Sequence, residues 1–225
     1  MNRMPALTDP SQQLSSDQAL LHPGGWDGPV IDPPLQLGVM ASGNGSNFEA
    51  LEMAIRRGEL SATIRLLVVN NPGCGAQQRA ERLGIACRVV DHRVHRNRHD
   101  LDRELVRTFR AAGAEAIVMA GWMRIVTDEL IKAYPNRLLN IHPSLLPSFR
   151  GLDGVGQALQ AGVRISGCTV HLVTEDLDAG QIVAQAAVPV LANDTATTLA
   201  ERIHHEEHRL LPIALMHIGQ SWRQG

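Results

Sequence analysis

The 225-residue chain has little cysteine, no block of one charge and no long apolar run, and each shortage removes a class of function. Its three cysteines, Cys74, Cys87 and Cys168, are odd in number, widely spaced and form no C-x-x-C, so neither a disulfide framework nor a thiolate zinc site is expected. That fits a reducing, cytoplasmic setting. No run of Lys or Arg occurs and the formal net charge is −2, which leaves no electrostatic footprint for nucleic acid or an anionic membrane. Nothing approaches the roughly 18 continuous apolar residues of a spanning helix, and no basic segment followed by an apolar one opens the chain. Neither a membrane nor export is expected, and small-molecule chemistry is favoured. No internal repeat is visible.

What is present is enough apolar material for one core: 44% of the residues are hydrophobic. Residues 1 to 34 stand apart, holding six of the twelve prolines with Gly24-Gly25 and a scatter of Ser, Gln and Asp. Without helical or strand period they read as a mobile extension, followed by a single domain from 35 to 225. From Leu35 apolar runs and helical patterns alternate. "LQLGVMAS", "TIRLLVVN", "ACRVVD", "AEAIVMAG" and "RLLNIH" read as strands. Between them "NGSNFEALEMAIRRG", "GAQQRAERLG", "DLDRELVRTFRAAG" and "TDELIKAY" read as helices, the last with Thr127 as its N-cap. The alternation implies an α/β fold, a Rossmann-like doubly wound, mostly parallel sheet. After Ile165 the pattern changes: "GCTVHLV" and "GQIVAQAAVPV" predict an antiparallel strand pair around the acidic "TEDLDAG". A final helix opens at Asp194 or Thr195 and is expected to bend at Pro212.

Several stretches carry chemistry. In "LLNIHPSLLPSFRG" Asn140 and His142 are two residues apart at a strand's carboxyl end, so both side chains project to one side before Pro143 and Pro147 stop regular structure. That is where open α/β sheets bind ligands. "SGNGSN", between the first strand and first helix, would let Gly45, Ser46 and Asn47 offer N–H groups to an anion at a helix N-terminus; an ordinary capped turn fits the same residues. It is neither G-x-G-x-x-G nor a P-loop. In "TEDLDAG" a carboxylate near His142 would orient the ring and favour its protonated form. Glu175 and Asp176 read as members of a solvated turn. "HHEEH" sets His204 and His208 one helical turn apart, a zinc-compatible spacing, but with no third ligand evident a solvent-facing stripe is the simpler reading, and no metal is expected. "GWMRIV" could line a pocket with its backbone or belong to the core.

Taken in order, "SGNGSN", "AGWMRIV", "NIHPSLLPSFRG" and "HLVTEDLDAGQIVAQAAVPV" resemble the phosphoribosylglycinamide formyltransferase family, over about Leu35 to Ile218. The resemblance implies transfer of a formyl group from 10-formyltetrahydrofolate, a cosubstrate rather than a bound cofactor, to the amine of glycinamide ribonucleotide in purine synthesis. It assigns catalysis to Asn140, His142 and Asp178: His142 as proton donor, Asn140 as donor to the formyl oxygen, and Asp178 as the carboxylate that keeps His142 protonated and organises a water. It gives Gly45, Ser46, Asn47 and Glu207 to the phosphorylated substrate. Arg98, Met123, Arg124, Ile125, Val126, Asn140, Thr174, Glu175, Asp176, Leu177 and Asp178 go to the folate. The expected partners are those two small molecules, with the protein a monomer or homodimer. Many members carry a His two residues after the Gly of "FRG", where this chain has Asp153. The alternative within the same chemistry is a formyltetrahydrofolate deformylase, which hands the formyl group to water; a non-catalytic folate- or nucleotide-binding module is the alternative of another class.

Overall fold

The computed structural model describes residues 19–24, 28 and 30–224. The chain alternates as its pattern implies: β2 (Leu35–Ala41), α1 (Ser46–Arg56), β3 (Ala62–Val69), α2 (Gly75–Leu83), β4 (Cys87–Val89), α3 (Arg98–Ala111), β5 (Ala116–Met119), α4 (Asp128–Ala133) and β6 (Leu138–His142). Then follow α5 (Gly154–Ala161), β7 (Ile165–Leu172), β8 (Ile182–Pro189) and α6 (Ala196–Gln224), while β1 (Leu20–His22) precedes them all. One eight-stranded sheet runs in the order β1-β8-β7-β6-β5-β2-β3-β4. The strands β4, β3, β2, β5 and β6 pair in parallel, and β6–β7, β7–β8 and β8–β1 are antiparallel.

Near-continuous burial of β2 and β5 follows from helices on both faces. Phe48 and Leu51 of α1 with Leu199, Ile203, Leu210 and Leu215 of α6 fill one layer; Leu101, Leu105 and Phe109 of α3 with Trp122 and Leu130 fill the other. Because the chain leaves β2 toward β3 and leaves the neighbouring β5 toward β6, in the opposite direction, a crevice opens at the carboxyl ends of these two strands. Ser42, just past β2, donates its N–H to Gly121 O at 3.0 Å across that gap.

The helix α6 runs unbroken through Pro212 to Gln224, six residues beyond Ile218 where the sequence pattern ends it. Thr195 accepts from Thr198 N at 3.2 Å, so its hydroxyl closes the first turn. Thr127 occupies the N-cap position of α4 without capping it, since its N–H and hydroxyl both donate to Asp102 of α3. The helix α5 has no counterpart in the sequence reading: Gly154 and Gly156 blur its period, and Asp153 in a left-handed conformation (φ 57°) caps it by accepting from Gly156 N.

The reading of residues 1 to 34 as a mobile extension needs correction where the chain is described; residues 1–18 lie outside the described residues. Leu20–His22 add an antiparallel edge strand against Gln185–Ala187. Ile31 is 1% exposed and packs on α6 where Gly219 leaves room, a Cβ there falling 2.7 Å from both Ile31 and Leu35. The carbonyls of Pro33 and Pro34 accept from Arg223 and that of Ile31 from Ser61. Backbone pairing at an edge and a single anchoring side chain leave no periodic trace in sequence, which is why the pattern hides them.

Candidate active site

The strand β6 alternates as expected, and Asn140 and His142 leave it on one side. Antiparallel pairing sets Asn140 opposite His171 and His142 opposite Thr169. The segment after Pro143 is tied back onto the sheet, because Thr169 Oγ1 donates to Ser144 O and accepts from Leu146 N while Gln185 donates to Leu146 O. That folding brings Phe149 O to 2.9 Å from His142 Nε2, which therefore carries hydrogen and donates. The other ring nitrogen, Nδ1, faces Asp178 Oδ2 at 3.5 Å. Both nitrogens of this buried ring thus look at acceptor oxygens, an arrangement that a ring with hydrogen on both satisfies.

Asp178 is held in place as tightly. It adopts a left-handed conformation (φ 49°), which Asp and Asn tolerate better than most residues, and accepts the Gly151 N–H at 2.8 Å. Its side chain is 8% exposed, whereas Glu175 and Asp176 in the same loop are exposed. Burial alone would push the Asp178 carboxyl up; His171, the Gly151 N–H and His142 outweigh it and hold it below its ordinary value.

His171 is the residue the sequence reading missed. Its Nδ1 donates to Leu172 O at 2.9 Å, and its Nε2 lies 3.2 Å from Asn140 Nδ2 and 3.6 Å from Asp178 Oδ1. The Asn140 amide is thereby fixed with its second N–H unspent on His171. A histidine inside a strand was the available signal, but its meaning depends on the β6–β7 register.

At the start of α1, Gly45 takes φ 77° and no side chain caps the helix, so the N–H groups of the first turn precede its first internal bond, Glu49 N to Gly45 O. The glycine has a packing reason too: a Cβ there would lie 2.6 Å from Ala76 Cα of α2. Asn47 donates to Glu207 of α6 at 2.8 Å, and its Oδ1, also buried, has no partner among the described residues. Glu207 is 3% exposed; burial pushes its carboxyl up, against opposing pulls from the Asn47 N–H and His204, whose Nε2 lies 4.0 Å away.

A cleft of about 500 Å³ joins these groups. Asn140, His142, His171 and Asp178 line it together with Asn47, His204 and Glu207. So do Met123, Arg124, Ile125 and Val126, in a segment pinned by Met123 N donating to Ser42 Oγ at 2.9 Å, and Thr174, Glu175, Asp176 and Leu177 of the acidic loop. Met123, Ile125, Leu152 and Leu177 give it an exposed apolar wall. Asp153 lines it as well. Gly45 and Ser46 stand just outside the lining, and Arg98, the first residue of α3, is not part of it. Among the described residues no group of three or more His, Cys, Asp or Glu could hold a metal ion.

Fold and site together define a doubly wound α/β protein whose switch-point crevice presents aimed donors, a buried histidine–carboxylate pair and an apolar wall, as acyl-group transfer requires. Residues 35–215 match the formyl transferase family, and the chain belongs to it. The phosphoribosylglycinamide formyltransferase of Bacillus subtilis is 41% identical over 174 residues, covering 77% of this chain and 89% of that protein. The trifunctional purine biosynthetic protein adenosine-3 of Gallus gallus is 41% identical over 210 residues; the match takes in 93% of this chain and 21% of that protein, so the chain spans about a fifth of the length of that relative. The crystal structure of glycinamide ribonucleotide transformylase 1 from Symbiobacterium toebii superposes with a TM-score of 0.82 at 39% identity, covering 84% of this chain and 89% of that one.

Proposed function

We propose that the chain is a phosphoribosylglycinamide formyltransferase that moves the formyl group of 10-formyltetrahydrofolate onto the amine of glycinamide ribonucleotide, in the cytosol and as a monomer or homodimer. The observation that carries the reading is that one cleft joins the Asn140–His142–Asp178 group to the N-terminal turn of α1. An apolar wall suits a flat heterocycle, and unpaired N–H groups at a helix N-terminus suit a phosphate. The formyl donor supplies an activated one-carbon unit whose oxygen gains negative charge as the amine attacks. Asn140 aims its second N–H at that oxygen, and His142 gives up its Nε2 contact with Phe149 to donate there or to the departing nitrogen. Asp178, 3.5 Å from Nδ1, stabilises the charge His142 carries and accepts from a water that takes the amine proton. Glu207 and Asn47 receive the rest of the phosphorylated amine. Among the described residues no helix is long and apolar enough to cross a membrane.

The test is to follow tetrahydrofolate formation by purified protein supplied with 10-formyltetrahydrofolate, with and without glycinamide ribonucleotide. Product that forms only when the amine is present is expected. An equal rate without it would make the protein a hydrolase of the same donor.

A further inference from the structure

Asp102 of α3 is a buried carboxylate outside the cleft lining, with no part in the chemistry above. It is 1% exposed and gives its Oδ2 to a single residue, accepting the N–H of Thr127 and, at 2.9 Å, its hydroxyl. Burial pushes the carboxyl up; the Thr127 N–H and hydroxyl, then His99 and Arg98, pull against that. The contact overrides a local preference, because Thr127 sits at the N-cap of α4 and yet turns its hydroxyl away from the helix it would cap. Thr127 also closes the irregular segment that carries part of the cleft's apolar wall. Met123 and Ile125 there are 67% and 52% exposed, so no core holds them, while Trp122 and Val126 turn the other way into the α3 layer. Among the described residues, none of residues 122 to 126 makes a backbone–backbone hydrogen bond. Two polar clamps hold the segment: Ser42 Oγ takes the Met123 N–H near one end, and Asp102 takes Thr127 at the other.

We propose that Asp102 is a positioning residue for the folate donor: by fixing Thr127 it sets the path of residues 123 to 126, and with it the shape of the apolar wall, before the heterocycle arrives. The proposal rests on the donor named above. Between its two inward side chains this stretch has no ladder to hold it, so without the clamps it would sample many paths and binding would have to order it. A clamp at each end removes that cost in advance. Asp102 suits the task because its own helix is packed through Leu101, Leu105 and Phe109. One carboxylate oxygen accepts both donors of Thr127, where an apolar side chain would leave an N–H and an O–H unpaired. Asn140, Asp178 and the Asn47–Glu207 pair are held by other contacts, so the effect falls on the donor rather than on turnover or on the phosphorylated amine.

The experiment is calorimetric titration of tetrahydrofolate, which has no formyl group to transfer, and separately of glycinamide ribonucleotide. The proteins are the wild type, Asp102→Ala, Asp102→Asn, Thr127→Val and Leu105→Ala, with melting temperature and turnover measured alongside. Asp102→Ala should bind tetrahydrofolate about tenfold weaker, and keep its ribonucleotide affinity and its turnover at saturation within about twofold of the wild type. Asp102→Asn keeps an acceptor oxygen for Thr127 and should stay within about twofold in every reading. Thr127→Val loses the hydroxyl but not the N–H and should bind tetrahydrofolate about fourfold weaker; it decides the matter if Asp102→Ala does not fold. Leu105→Ala loosens the same helix without removing a hydrogen bond to the segment, and should lower the melting temperature with both affinities within about twofold. Unchanged tetrahydrofolate affinity in Asp102→Ala or Thr127→Val would overturn the proposal. So would an equal loss for both ligands, or a loss in Leu105→Ala as large as in Asp102→Ala. A wild type that binds tetrahydrofolate but transfers no formyl group would sink the enzymatic reading, and the same affinity ratios would still decide the role of Asp102.

Discussion

Replacing Asp178 by Asn removes one charge and little else. Asparagine tolerates the left-handed backbone at φ 49°, and its side-chain oxygen can still accept the Gly151 N–H, so the fold should hold. What is lost is the carboxylate 3.5 Å from His142 Nδ1 and 3.6 Å from His171 Nε2. Unit charges at about 3.5 Å interact by roughly 5 kcal/mol at an effective dielectric of about 20. Rearranged neighbours and water recover part of that, and at least about 2.7 kcal/mol, a hundredfold in turnover, should remain. Binding of either substrate should change little. The assay is turnover at saturating substrates from pH 5.5 to 9, with Glu175→Gln and Asp176→Asn as controls, since both of those side chains are exposed. If Asp178→Asn stays within about threefold of the wild type, or if Asp176→Asn is the crippled variant, the catalytic carboxylate has been misplaced.

Gly45→Ala should cost at least about 2 kcal/mol, some 4–8 °C in melting temperature for a chain of this size, because a Cβ strains the φ of 77° and runs into Ala76; an unchanged melting curve would remove the packing role of this glycine. Urea unfolding should show Ile31→Ala losing roughly 2–4 kcal/mol and Leu20→Ala, at an exposed position, staying within about 0.5 kcal/mol, which separates the anchored part of the N-terminal segment from its edge strand. Burial raises the Glu207 carboxyl, so the native state keeps its proton to higher pH than the unfolded chain; the resulting stability is full below about pH 4.3 and is lost as pH rises through the raised value. Glu207→Gln should therefore unfold like the wild type at pH 4 and be the more stable of the two at pH 8, while binding the phosphorylated amine less well; equal stability at both pH values would show that the buried carboxylate carries no such penalty.

The sequence makes most of this architecture legible because its parallel half is built from local signals: apolar runs of strand length, helical periods and closing glycines such as Gly58 and Gly84. The pairing of Asn140 with His142 follows from strand alternation alone. Singling out Asp178 from Glu175 and Asp176 needed the family resemblance, since three carboxylates in four positions look alike until the chain turns at φ 49° and buries one of them. Other features depend on distant partners. Leu20–His22 acquire meaning only from Gln185–Ala187, and His171 only from the strand that holds Asn140. Gly45 shows the converse: a residue that suggests close approach to a phosphate also has a neighbouring helix filling the space where a side chain would go.

The central claim is that this cleft passes a formyl group between two small molecules without releasing it to water. The most direct measurement uses 10-formyltetrahydrofolate labelled with carbon-13 in the formyl carbon and glycinamide ribonucleotide, with mass spectrometry of both products. The label should appear on the amine of the ribonucleotide, one formyl per tetrahydrofolate released, and this transfer should disappear in His142→Ala. Label recovered as formate while the ribonucleotide stays unmodified would contradict the account.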